Sequence, residues 1–224
     1  MTGAARTAGS GRRSTSSRST SRRTPEAPDT TLPYAQAARG LLHETIIAAV
    51  DQLARSRGWS ATTMTPVARA AGVSRQTIYN EFGSRQALVE AYISHEIENL
   101  IAEVERSVRA NAHDPGAALQ AAFGLFLRLA SDEPVIQMIT SDAGEDQLVP
   151  LLTKLGRAIA DERITRLIVD VWPRVDASDA ELVAESLVRL AISHALSPTS
   201  DPGTAARNVT RLVRPLFTEI LGAS

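Results

Sequence analysis

Apolar positions along this chain recur at helical spacing, and no run alternates with the two-residue rhythm of a half-buried strand. The first run holds Leu41, Leu42, Ile46, Ala49, Val50 and Leu53, between Pro33 and Gly58. Two short runs follow around Val67 and Ile78. A long one carries Leu88, Ala91, Tyr92, Leu100, Ile101 and Val104, with Ser84 as its N-cap, and reaches about Val108. Asp114-Pro115 supplies a cap and a first-turn proline for a helix to about Ser131. A short apolar helix is expected over 132–140, and no clear element over 143–154, which contains Pro150. A helix from about Arg157 should run to Trp172 and stop at Pro173. Ser178-Asp-Ala-Glu181 reads as a capping box for a helix to Leu196, and Asp201-Pro202 opens a last one ending near Gly222. The pattern predicts an all-α fold of about nine helices.

The two short runs carry the strongest functional signal. Val67, Ala68 and Ala71 make one apolar face, with Thr63 as the expected N-cap and Pro66 in the first turn. Gly72 should end that helix, because a residue past a helix end often needs positive φ. Ser74 caps the next helix. Its Ile78 and Phe82 face inward, leaving Arg75, Gln76, Thr77, Tyr79 and Asn80 outward. Two helices around such a turn present one short helix to the major groove, where those side chains can bind phosphates or read base edges.

From about Arg39 to Tyr92 the chain resembles the DNA-binding domain of the TetR family of transcriptional regulators. The resemblance lies in an opening helix ending in Gly58-Trp59 and a Thr-Thr entry. Val-Ala-x-Ala-Ala-Gly-Val-Ser follows, then Thr-Ile-Tyr-x-x-Phe-x-Ser-Arg-x-x-Leu. An ordinary helical hairpin would not require so many positions in this order. The expected DNA-contacting set is Thr63, Thr65, Arg75, Gln76, Thr77, Tyr79, Asn80 and Arg85. Some positions depart from the family pattern. Gln76 stands where a small residue is usual, and its amide can pair bidentately with adenine. Glu81 would be unfavourable near phosphates and should turn away or pair with an arginine. Arg85 replaces a lysine and keeps its charge. Pro66 replaces an acidic residue, so this helix lacks the usual capping box. The string Ser74 to Gln86 is also similar to a subset of these regulators linked to lipid or alkane metabolism.

Charge supports the same division. The chain has 224 residues and a net charge of −1, but residues 1–32 hold six arginines against two acids. Residues 33–92 hold six arginines against four acids, and residues 93–224 carry a net −7. Arginines therefore gather where counter-ion release from DNA would reward them. The expected organisation is a disordered basic tail over 1–32, a helix-turn-helix domain over 33–92, and an effector-binding and dimerisation domain over 93–224.

Several chemistries are absent from the sequence. With no cysteine, disulfides, thiolate catalysis and cysteine-ligated zinc are excluded. His43-Glu44 and His95-Glu96 begin like a zinc-protease helix, but Ile47 and Asn99 stand where the second histidine must be. No phosphate-binding glycine loop or nucleophile elbow occurs. His194 on an apolar helix face reads as a core or interface residue. No enzyme, metal or cofactor is expected. The N-terminus lacks the apolar core of a secretory signal, and no run has the length of a membrane helix. A cytoplasmic protein with no membrane contact is expected.

Phe123, Phe126 and Leu127, with Ile136, Met138 and Ile139, form an apolar set that reads either as plain core or as the wall of a ligand pocket. The resemblance implies a small effector in this region, and the large aliphatics favour a hydrophobic one such as a fatty acid or long-chain alcohol. The last two helices carry Leu182, Leu187, Leu190, Ala191 and His194, then Val209, Leu212, Val213, Leu216, Ile220 and Leu221. One stripe packs inward and another is left over. The resemblance assigns the spare face to a homodimer, which a two-fold operator in double-stranded DNA requires. The reading is a repressor of a pseudo-palindromic operator released by the effector. The alternatives are an activator with the same contacts, or a helical binding or scaffolding protein that no longer touches DNA.

Overall fold

The computed structural model describes residues 31–134, 136–137 and 148–221. Among them are eight α-helices, one short 3-10 turn and no strand. The helices are α1 (Thr31–Arg57), α2 (Met64–Ala70), α3 (Arg75–Phe82), α4 (Arg85–Ala110), α5 (Pro115–Asp132), α6 (Leu148–Val171), α7 (Ala177–Leu196) and α8 (Pro202–Leu221). The 3-10 turn, Trp59–Ala61, joins α1 to α2. Of the helix expected over 132–140, Pro134, Ile136 and Gln137 are helical, and Met138 and Ile139 lie outside the described residues.

Helix ends follow local chemistry. Asp114-Pro115-Gly116 and Asp201-Pro202-Gly203 start α5 and α8 in the same way, each aspartate accepting from the backbone N–H three residues on. Three expectations need correction. α1 begins before Pro33, because a proline in the first turn lacks only an N–H that has no helical partner. For the same reason α6 runs through Pro150, starting well before Arg157. α7 is capped by Asp176 and not by a Ser178–Glu181 box. The Asp176 carboxylate accepts from the Ser178 hydroxyl at 2.7 Å and from its N–H at 2.9 Å, which lowers its pKa. An ionised acceptor at a helix N-terminus outcompetes a hydroxyl.

α1 to α4 enclose one core. Ile46, Ile47, Val50, Val67, Ile78, Tyr92 and Ile93 are almost wholly removed from solvent there. Each large aliphatic contributes about 1.5–3 kcal/mol by burial. The Trp59 and Tyr92 rings lie 5.6 Å apart within it. α4, 26 residues and about 39 Å long, then leaves this core and enters the α4–α8 bundle through Ile101 and Val108. Arg163 on α6 clamps α4 through a two-pronged bond to Glu105, at 2.9 and 2.7 Å. The first turns of α6 touch the first core as well, through Leu151, Leu152 and Leu155.

Gly72 sits at φ 69° with open space where a Cβ would stand. Gly72→Ala should therefore cost about 1–2 kcal/mol from backbone strain alone. Gly40, inside α1 and equally open, should behave oppositely, Gly40→Ala adding about 0.5–1 kcal/mol. Urea unfolding of both variants checks the signs, and equal shifts would refute the account.

Candidate nucleic-acid interface and ligand cavity

The short helix α3 is positioned from both ends and from beneath. Ser74 accepts from the Thr77 N–H at 3.0 Å, and the extended backbone of Ser74 follows the turn at Gly72. Gly83, at φ 80°, donates its N–H to the Tyr79 carbonyl and closes the helix. Ile78 anchors it in the core, and Phe82 lies half-buried against His43, with ring centroids 4.7 Å apart. Arg75, Gln76, Tyr79 and Asn80 are exposed, and Thr77 is half-buried.

The outward side chains are ordered by one another. The Gln76 amide donates to the Asn80 carbonyl oxygen at 2.8 Å, one helical turn away. Arg75 lies over the Tyr79 ring, 6.0 Å from its centroid. Glu81 turns from this face as expected. It accepts from Arg39 at 2.9 Å and has His43 at 3.5 Å. Thr63, Thr65 and Arg85 are exposed around α3. Thr63 holds the N-cap position of α2 without a side-chain bond, while Thr62 is buried and donates to the Gly58 carbonyl. Arg69 is also exposed, in the last turn of α2. It was not singled out in the sequence, where it fills the variable position of Val-Ala-x-Ala-Ala-Gly-Val-Ser.

Within the α4–α8 bundle lies a cavity of about 180 Å³. Phe123, Phe126 and Ile136, of the apolar set named in the sequence, line it. Leu127 does not. It is buried with Ala205, Ala206 and Val209 where α5 packs on α8. Most of the wall comes from helices whose contribution no local pattern announces: Ile97 and Val104 of α4, Ile164 and Leu167 of α6, Leu187 and Ile192 of α7. Apolar cavities on the order of 150 Å³ can stay dry and accept apolar guests. His194 presents an edge to Phe123 at 6.0 Å and takes the packing role expected of it.

Among the described lining residues, Glu96 and Glu133 are the ionisable ones. They sit where the first core meets the bundle. Arg55 of α1 donates to Asp51 at 2.8 Å, to Glu133 at 3.2 Å and to the Asp132 carbonyl at 3.1 Å. The buried Tyr92 hydroxyl donates to Asp51 at 3.1 Å. Oxygens of Asp51, Glu96 and Glu133 lie within 4.8 Å of one another, a grouping able to hold a cation that the sequence did not announce. The Arg55 guanidinium already supplies the positive charge there, paired with two of the three. Burial, with Glu133 and Asp51 nearby, pushes the Glu96 carboxyl up to about 7. Burial also raises Glu133, against the pull of Arg55.

Comparison with known proteins agrees with this geometry. Residues 46–92 match the model of bacterial regulatory proteins of the tetR family, and residues 114–215 match a bacterial tetracyclin repressor C-terminal domain. The chain is 37% identical over 192 residues to the HTH-type transcriptional regulator AlkX of Mycobacterium tuberculosis, covering 84% of this chain and 91% of that protein. It superposes with a TM-score of 0.64 on the TetR family repressor AlkX of Dietzia sp. strain DQ12-45-1b, implicated in biodegradation of n-alkanes. That match has 33% identity and spans 79% of this chain and 97% of the other. Thermus thermophilus FadR, solved with lauroyl-CoA, shares the fold at 22% identity and a TM-score of 0.53, with 77% of this chain and 93% of that one covered.

The raised Glu96 carboxyl has a consequence for stability. A group whose folded pKa lies above its unfolded value contributes most below the unfolded value, and the contribution is lost as pH rises through the folded one. Glu96→Gln should leave stability unchanged near pH 5 and raise it near pH 8, because the variant cannot ionise. The carboxylate is partly open to the cavity, so the gain is on the order of 1 kcal/mol, or about 2–4 °C. Thermal unfolding at the two pH values tests this, and a pH-independent difference would contradict it.

Proposed function

Because this chain belongs to the TetR family and is a transcriptional regulator, we propose that it is a homodimeric repressor of a pseudo-palindromic operator, released by a small aliphatic effector. The observation that carries the DNA-binding part is the outer face of α3. There Arg75, Gln76, Tyr79 and Asn80 are exposed and mutually ordered on a helix whose inner face is anchored. Gln76 and Asn80 suit base edges. Arg75, Tyr79, Thr63, Thr65, Thr77 and Arg85 suit phosphates and register. In this reading residues 33–92 form the DNA-binding unit, residues 93–224 bind effector and dimerise, and the arginines of 1–32 add phosphate affinity.

Two recognition helices one DNA turn apart need a two-fold dimer. Leu182 of α7 is 53% exposed, and Leu212 and Leu216 of α8 are 70% and 36% exposed. Their neighbours Leu187 and Ala191 face the cavity instead. The spare leucines support a dimer face on these two helices. The cavity supports an aliphatic effector, as does similarity to a repressor implicated in n-alkane biodegradation. α4, the start of α6 and the Arg55–Glu133 pair connect the cavity wall to the DNA-binding core, so a guest that prefers one arrangement of these links shifts operator affinity. The family membership disfavours catalysis as the chain's role.

Gln76→Ala and Asn80→Ala should each weaken operator binding by about 1–3 kcal/mol while leaving the fold intact. Titration against operator and random duplex at fixed salt tests this, and unchanged operator affinity in both would remove them from the reading set. Phe126→Trp should fill the cavity, keep operator binding and abolish release by aliphatic alcohols or acids. Equal release of variant and wild type would place the effector elsewhere.

A further inference from the structure

The cavity is not uniform along its length. Among the described residues its wall is apolar except at one end, where Glu96 and Glu133 enter beside Ile93 and Ile136. The groups facing that end are Asp51 and Arg55 from α1, Tyr92 and Glu96 from α4, and Asp132 and Glu133 from the end of α5. Arg55 is the cation among them, and its guanidinium is shared between Asp51 and Glu133. Tyr92 spends its hydroxyl proton on Asp51. Among the described residues none donates a hydrogen bond to Glu96. Among the described residues, the polar end with Glu96 ionised therefore offers acceptor oxygens and surplus negative charge, facing one guanidinium that is already paired.

An aliphatic guest meets this end with its head group. A hydroxyl carries one donor hydrogen and no charge, which fits an acceptor left without a partner. A carboxylate has no donor to give. It would add a negative charge to three carboxylates already crowded around one guanidinium, in a partly desolvated place where like charges are costly. We infer, building on the aliphatic-effector reading above, that the cavity selects its ligand by the head. A hydrogen-bond donor without negative charge, such as a primary alcohol, seats on the Glu96 and Glu133 carboxylates, and the chain-matched carboxylate is rejected.

The selection is linked to protons. Glu96 takes up a proton as pH falls through about 7, and neutral Glu96 no longer repels an acidic head. Carboxylate binding should therefore strengthen on acidification, and alcohol binding should change much less.

The test measures binding of dodecanol and of dodecanoate to the full chain, by calorimetry or by release from operator. Near pH 8 dodecanol should bind about tenfold more tightly or better, a difference of about 1.4 kcal/mol. Near pH 6 the gap should close in the wild type. Glu96→Gln should bring the two affinities within about threefold at pH 8, with operator affinity confirming that the variant is folded. Equal affinities in the wild type at pH 8 would overturn the inference without touching the aliphatic reading, and so would a ratio that Glu96→Gln leaves unchanged. Failure of both compounds to bind would remove the inference and the aliphatic reading together. The wild-type comparison across pH stands whether or not the variant folds.

Discussion

The architecture depends on one helix belonging to two hydrophobic cores. α4 buries Leu88, Tyr92 and Ile93 with α1 to α3, then Ile101 and Val108 within the bundle, and Ile97 packs toward both. Buried side chains in close-packed surroundings cannot shift independently of the backbone that carries them. Any change in how the bundle holds the second half of α4 must therefore be met by the first half, to which the recognition helix is attached. The Leu151–Leu155 turns of α6 add a second mechanical contact to the same core.

Where the two cores meet, apolar packing gives way to a charged cluster. Placing Asp51, Glu96 and Glu133 together is unfavourable without Arg55, and Arg55 answers only part of it. Burial first, and then the unanswered charge of Glu133 and Asp51, raises the Glu96 carboxyl to about 7. A junction of this kind is less stable than a well-packed apolar one, and its balance responds to charge and to hydrogen-bond donors. That makes the end of the cavity nearest the DNA-binding core its most chemically sensitive part.

The outer face of α3 follows the opposite logic. Its side chains lie in water, where isolated long polar groups lose order cheaply. Pairing at one-turn spacing, Gln76 with Asn80 and Arg75 with Tyr79, reduces the rotamer freedom left to lose on binding. Glu81, one residue on, is drawn to Arg39 on α1, so the acid in this helix is neutralised away from the exposed face.

The helix-turn-helix was legible in the sequence because its determinants are local. Gly72, Ser74 and Ile78 act within a few residues of themselves, through φ preference, capping and a single inward face. The Asp114-Pro115 and Asp201-Pro202 starts were legible for the same reason. Misreadings arose where local signals compete. Pro33 and Pro150 break a helix interior but suit a first turn, and only the surrounding packing decides which position they hold. Asp176 took the cap from Ser178 by charge. The cavity lay beyond sequence reading, since Phe123 and Leu127 are equally apolar and one turn apart, yet one lines a cavity and the other does not. Asp51, Glu96 and Glu133 are far apart in the chain and individually ordinary, and only the crossing of α1, α4 and α5 brings their charges within reach of one another. Local conformational preference thus specified the recognition helix, while burial and electrostatics between distant segments, which exist only once the chain is folded, decided the cavity and its polar end.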